Sequence, residues 1–140
     1  MFRTDARKFE LWERNIAASI GLGVALSAVL EIGISTIAER VLGLATELRA
    51  HLADIPGVEI WSPDPCQSGI IGFSTQSLDA AQVKALCADA GINVSTMADW
   101  DAPLDFDRRG RSAVVRAAPH YFNLESELET FASVLREAIR

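Results

Sequence analysis

Apolar and polar positions along this chain follow a helical period at both ends and a strand-like alternation between. From about Phe9 to Ile32, Phe9, Trp12, Ile16, Ile20 and Val24 recur at helical spacing, while Leu22, Leu26 and Leu30 fall on other faces. The pattern predicts a long helix that is apolar nearly all round, which needs neighbours on more than one side. Gly21 and Gly23 each cost about 1 kcal/mol of helix propensity, so they predict close packing against another backbone. The uncharged run from Ile16 to Leu30 stops at Glu31, short of the ~20 apolar residues a bilayer requires, and reads as a buried helix of a soluble protein. Asp5, Glu10 and Glu13 ahead of it are wrong for a signal peptide.

Gly33 predicts a helix stop, and Thr36 with Glu39 predicts a capping box opening a second helix that runs to about residue 54. Ile37, Val41, Leu44, Leu48 and Leu52 form its apolar stripe, and Pro56-Gly57 ends it. Val58–Trp61 alternates as a strand. A loop through Pro63, Pro65 and Cys66 leads to a second strand, Gly69–Ser74, whose glycines mark a bulge or a close neighbour. Asp79 and Gln82 cap a short helix stopped by Gly91, and Ile92–Ser95 is a third strand. Residues 96–112 are polar and aperiodic, which predicts a long loop. Ala113–Ala117 is a fourth strand, and Asn123 is placed as the cap of a last helix carrying Leu124, Leu128, Phe131, Leu135 and Ala138. This order predicts an α+β two-layer sandwich. Its small, mostly antiparallel sheet of three to four strands carries helices on one face and follows the long apolar helix. The expected division is an N-terminal segment and linking helix, 1–32, and a small C-terminal α+β domain, 33–140.

Composition narrows the function classes. The 140 residues are 49% hydrophobic and 23% charged with a net charge of −6, which excludes disorder, a nucleic-acid-coating surface and a polybasic membrane anchor. Cys66 and Cys87 make neither a disulfide scaffold nor a zinc spacing. Nothing directs the chain to secretion, so the Asn93-Val94-Ser95 sequon is a chance match and a cytoplasmic location is expected.

Most candidate chemistry reduces to ordinary structure. Gly21-Leu22-Gly23 lacks the third glycine and the preceding strand of a dinucleotide fingerprint. His51 and His120 have no third ligand at metal spacing, so no metal site is assigned. Cys66 has no base nearby in sequence, and Arg108, Arg109 and Arg111 read as a solvated cluster more readily than as an anion grip. No catalytic residue is assigned. Arg116 differs, because it ends an otherwise apolar strand, where an unpartnered charge is costly. Its planar fork suits a carboxylate. From the residues alone, a salt bridge to one of the nineteen acidic side chains and a bound substrate carboxylate explain it equally.

The stretch Val114-Val115-Arg116-Ala117-Ala118-Pro119-His120-Tyr121-Phe122-Asn123-Leu124-Glu125-Ser126-Glu127-Leu128 resembles the C-terminal segment of class V aminotransferase-like enzymes, which depend on pyridoxal phosphate (PLP) and include cysteine desulfurases and isopenicillin-epimerase-like proteins. Phe9-Glu10 with Asn15-Ile16-Ala17-Ala18 and Gly21-Leu22-Gly23-Val24-Ala25-Leu26, and then Gly91-Ile92-Asn93-Val94-Ser95, match in the same order. The resemblance implies that Arg116 binds the α-carboxylate of an amino-acid substrate. It also implies a PLP-binding large domain or partner subunit, and a homo-oligomeric complete enzyme. Arg14 and Asn15 are then the candidates for contact with the cofactor phosphate, although Trp12-Glu13-Arg14 stands where many relatives have Gly-Thr-Pro. Residues 96–112 lack the cysteine that desulfurases carry there, so sulfur abstraction by a loop thiol is not expected. Lys8 and Lys84 are the only lysines, and neither position suits a Schiff base. The resulting expectation is the small C-terminal domain of such an enzyme, inactive by itself. The competing expectation is a free-standing ligand-binding or interaction module of α+β fold.

Overall fold

In a computed structural model, residues 3–10, 13–61, 68–110 and 112–139 are described. The chain divides into two compact units, Met1–Thr36 and Ile37–Arg140. The first contains a 3-10 turn, Ala6–Phe9, and helix α1, Ile16–Ile32. Helix α1 starts later than the apolar periodicity implies, because Asn15 caps it: its Oδ1 accepts from the Ala18 N–H at 2.9 Å. Gly33 ends it as expected, with φ +95° and its N–H donating to the Val29 carbonyl at 3.0 Å. Two expectations fail here. No residue of α1 is buried, and among the described residues nothing outside the helix's own backbone lies within 4 Å of where a side chain would begin at Gly21 or Gly23. The apolar surface that predicted a buried helix is therefore bare. Among the described residues, no single helix is long and apolar enough to cross a membrane.

Helix α2, Ile34–Ala53, begins before Thr36, so that threonine lies inside the helix instead of capping it. The second unit then adds β1 (Val58–Ile60), β2 (Ile71–Thr75), α3 (Ala80–Asp89), β3 (Ser95–Ala98), α4 (Pro103–Arg109), β4 (Ala113–Ala117) and α5 (Glu125–Ile139). The fold is α+β, with a four-stranded antiparallel sheet ordered β1-β2-β4-β3. Leu44, Leu48 and Leu52 of α2, Val83 and Cys87 of α3, and Leu128, Phe131 and Leu135 of α5 pack on Ile71, Phe73, Val115 and Ala117. Strand alternation turns those four sheet residues to one face, and Phe73 meets Phe131 edge-on at 6.0 Å.

Local sequence explains most of the element ends. Asp79 and Gln82 form the predicted capping box, with Oδ1 of Asp79 accepting from Gln82 N–H at 2.8 Å and Oε1 of Gln82 accepting from Asp79 N–H at 2.9 Å. The third strand is Ser95–Ala98 instead of Ile92–Ser95, because Ile92 and Val94 pack against the core from the connection ahead of it. The expected structureless segment 96–112 also holds the rest of β3, a 3-10 turn at Asp99–Asp101 and helix α4. Pro103 stands in the first turn of α4, where its missing N–H costs nothing, and Phe106 anchors the helix. That anchor joins Trp61 and Val114 in a second, smaller cluster, with Met97 and Ala102 beside it.

Candidate functional site

Sheet register builds one row across the second unit. Ile60 pairs with Phe73, and the Trp61 N–H continues that ladder by donating to the Gly72 carbonyl at 2.8 Å. Gly72 stands opposite Arg116, and Arg116 stands opposite Ser95. Trp61, Gly72, Arg116 and Ser95 therefore lie side by side on the sheet face opposite α2, α3 and α5. The aromatic cluster covers one end of this face. Trp61 is 7% exposed, its indole N–H donates to Ser74 Oγ at 3.0 Å, and its ring lies 5.4 Å from that of Phe106.

Arg116 lies farther along this row, between Gly72 and Ser95, half-buried. Its guanidinium has no ion pair or hydrogen bond among the described residues. Among the described residues the salt-bridge explanation has no partner to name. Arg109 shows the contrast. Its guanidinium lies 4.9 Å from the Trp61 ring, donates to the Trp61 carbonyl at 3.3 Å and pairs with Asp105 at 3.3 Å, so it is committed to holding α4 in place. Arg108 is exposed, and Arg111 lies outside the described residues.

The segment after Arg116 is braced from α2. Arg40 forms an ion pair with Glu125 and donates from Nη2 to the Asn123 carbonyl at 2.8 Å. Asn123 does not cap α5. Its Oδ1 accepts from the His120 N–H at 2.7 Å and its Nδ2 donates to Glu127, which also accepts from the Leu124 N–H at 2.8 Å. The Arg40 guanidinium holds the Glu125 carboxyl at a pKa of about 2, below its ordinary 4.5. A depressed carboxylate pKa favours folding above the ordinary value, and that contribution drains away as pH falls from 4.5 towards 2. Glu125→Gln should therefore lose stability at neutral pH and flatten the acid limb of the stability profile over that window, measured by urea melts at several pH values. High salt should shrink the difference, because the pair is exposed.

The remaining candidates are placed elsewhere or already occupied. Arg14 pairs with Glu10 at 3.1 Å, beside Glu13, and Asn15 spends its side chain on the α1 cap. Lys8 is exposed, 5.0 Å from the Phe9 ring centroid, and Lys84 is exposed on α3. Neither lysine sits in the apolar pocket that makes an amine nucleophilic at neutral pH. His51 Nε2 lies 3.7 Å from Glu47, and among the described residues no three or more His, Cys, Asp or Glu side chains gather as metal ligands. Cys87 is buried, which pushes its thiol pKa up and leaves it unreactive. Cys66 and Trp12 lie outside the described residues. The sequence reading passed over Trp61 and Ser95 as site neighbours. Their signal is strand phase, since both share the alternation that faces Arg116 away from the helices.

The aminotransferase class-V family profile matches residues 1–131. A probable cysteine desulfurase of Xylella fastidiosa is 30% identical over 135 residues, covering 96% of this chain and 32% of that protein. A probable hercynylcysteine sulfoxide lyase of Mycobacterium tuberculosis is 31% identical over 134 residues, covering 94% and 33%. The apo structure of a cysteine desulfurase from Thermococcus onnurineus superposes with a TM-score of 0.87 at 26% identity, covering 96% of this chain and 34% of that one. The chain thus spans about a third of the length of relatives that are PLP-dependent enzymes. Since the profile runs through most of the sequence and the fold follows, the chain belongs to the class-V aminotransferase family and resembles the C-terminal portion of its cysteine desulfurases.

Proposed function

We propose that this chain is the substrate-carboxylate-binding portion of a PLP-dependent enzyme acting on an amino acid, and that it is inactive without the PLP-binding remainder. The observation that carries this reading is the Arg116 guanidinium, which has no ion pair or hydrogen bond among the described residues, in a chain of this family. PLP supplies the electron sink for chemistry at the amino acid's α-carbon when it is bound. Arg116 fixes the carboxylate by two parallel hydrogen bonds and so orients that carbon. The Arg40–Glu125 pair holds the turn that follows β4. The reaction proposed is not a desulfuration through a thiol of residues 96–112, because that segment contains no cysteine.

Titration of the purified chain, followed by nuclear magnetic resonance, tests both parts of the reading. L-Alanine should shift the Arg116 Nε–H signal saturably. A lone charge-assisted contact of about 1.5–3 kcal/mol corresponds to a Kd on the order of 10–100 mM. PLP should give no saturable absorbance change. Absence of any L-alanine effect at Arg116 overturns the carboxylate role. A saturable PLP band that disappears in Lys84→Ala overturns the inactivity of the separate chain.

A further inference from the structure

The connection ahead of β3 runs beside the turn that follows β4 and the first turns of α5, and two adjoining cavities open between them. One, of about 110 Å³, has Leu48, Val94, Leu128 and Phe131 in its lining. The other, of about 520 Å³, has His120, Phe122, Glu127 and Thr130. Ile92, Asn93, Ala118, Asn123 and Glu127 line both, so the two are sections of one trough.

The sections differ in chemistry. Leu48, Leu128 and Phe131 belong to the buried core, so the smaller section has an apolar floor. The larger section has an exposed rim, where Phe122 is 70% exposed and the His120 ring lies 4.3 Å from it. An aromatic ring left in water there offers its face to a cation. Glu127 adds a fixed negative charge. Its Oε2 accepts from Asn123 Nδ2 at 3.0 Å and from the Leu124 N–H at 2.8 Å, and these bonds hold its carboxyl below the ordinary carboxylate range. Its Oε1 accepts no hydrogen bond among the described residues. No lysine or arginine lines either section, and Arg40, which reaches the Asn123 carbonyl, is spent on Glu125.

This arrangement sets the direction of entry. A lysine or arginine side chain reaching in from another protein leads with its charge and brings it to the apolar floor, where it is costly. A free amine with an apolar body enters the other way round, its body on the floor and its ammonium at the rim. An apolar cavity of about 150 Å³ holds a benzene ring, so the smaller section suits a short aliphatic body. We infer that the trough binds a small aliphatic amine, with its ammonium held by Glu127 and Phe122 and its body over Leu128 and Phe131. The site is independent of the carboxylate role proposed for Arg116, which lines neither section and alternates along β4 with the core residues Val115 and Ala117.

Isopentylamine is titrated against the chain, with the Asn93 and Glu127 amides and Asn123 Nδ2–H as nuclear magnetic resonance readouts and Arg116 Nε–H as the control. It should bind saturably, with a Kd on the order of 1–30 mM, and leave Arg116 unmoved. Isopentanol has the same shape without the charge and should bind about fivefold more weakly. Methylamine has the charge without the body and should bind about tenfold more weakly or worse. Acetyl-lysine methylamide, which leads with its charge, should do no better than methylamine. Glu127→Gln keeps an oxygen for Asn123 and Leu124, so it should fold. It should weaken isopentylamine about fivefold and leave isopentanol unchanged, and Phe122→Leu should weaken the amine about two- to fivefold. Amine binding no tighter than the alcohol's, or unchanged in Glu127→Gln, overturns the cation site. Acetyl-lysine methylamide binding as tightly as isopentylamine overturns the free amine as occupant in favour of a protein side chain. Absence of any shift at Asn93, Asn123 and Glu127 overturns the trough and leaves the Arg116 reading untouched.

Discussion

Arg116→Met should leave this chain as stable as the wild type, or stabler, while removing its carboxylate binding. In the complete enzyme it should lower kcat/KM for an amino-acid substrate by about 10²–10³-fold. The two halves of that result follow from one observation. An arginine that closes a salt bridge leaves an uncompensated charge behind when it is removed, at about 3–5 kcal/mol when the pair is buried. Arg116 has no such partner among the described residues, so the folded chain bears the cost of partly desolvating a guanidinium and recovers nothing. Methionine keeps the reach of the side chain without the charge, and urea melts should show a change within about 0.5 kcal/mol or a gain of about 1 kcal/mol. The catalytic loss comes from a charge-assisted contact to a partly desolvated group, about 3–4 kcal/mol. It should appear mainly in KM, since a carboxylate carries its charge equally in ground and transition states. Arg116→Lys should fall between, having the charge without the fork. A loss of more than about 2 kcal/mol of stability with unchanged substrate affinity would make Arg116 a structural residue.

What the sequence made legible was governed by local physics. The Asp79–Gln82 capping box, the Gly33 stop and the buried stripe of Leu44, Leu48 and Leu52 all depend on residues within a few positions of one another. Strand β4 was readable for the same reason. Strand β3 slipped by three residues because Ile92 and Val94 carry a strand-like alternation but bury it as connection, and only packing against the core decides that. Helix α4 escaped because seven residues with one apolar anchor do not complete a recognisable period. Arg116 was legible as an anomaly, whereas its freedom was not, because the lack of a partner is a property of three-dimensional placement.

Helix α1 yields the second large effect. Ile16, Ile20 and Val24 lie along one line of the helix and Leu22, Leu26 and Leu30 along another, and all six are exposed, Ile20 by 64% and Leu26 by 53%. Each such side chain recovers about 1.5–3 kcal/mol when covered. A contiguous apolar surface of this kind on a solitary chain has one ready source of cover at high concentration, a second copy. The purified chain should therefore self-associate, and Ile20→Glu combined with Leu26→Glu should weaken association by at least about a hundredfold, since each partner then has to bury two carboxylates in place of two aliphatic side chains. Light scattering across a concentration series measures this directly, and urea melts of the second unit should be unchanged. A wild-type chain that stays monomeric throughout the series would mean that α1 tolerates water despite its composition. Association indifferent to both substitutions would move the contact away from α1. When the PLP-binding remainder is supplied, it should compete with self-association, and the double variant should lose that assembly too. The helix would then tie this segment to the rest of its enzyme, while Arg116 meets the substrate.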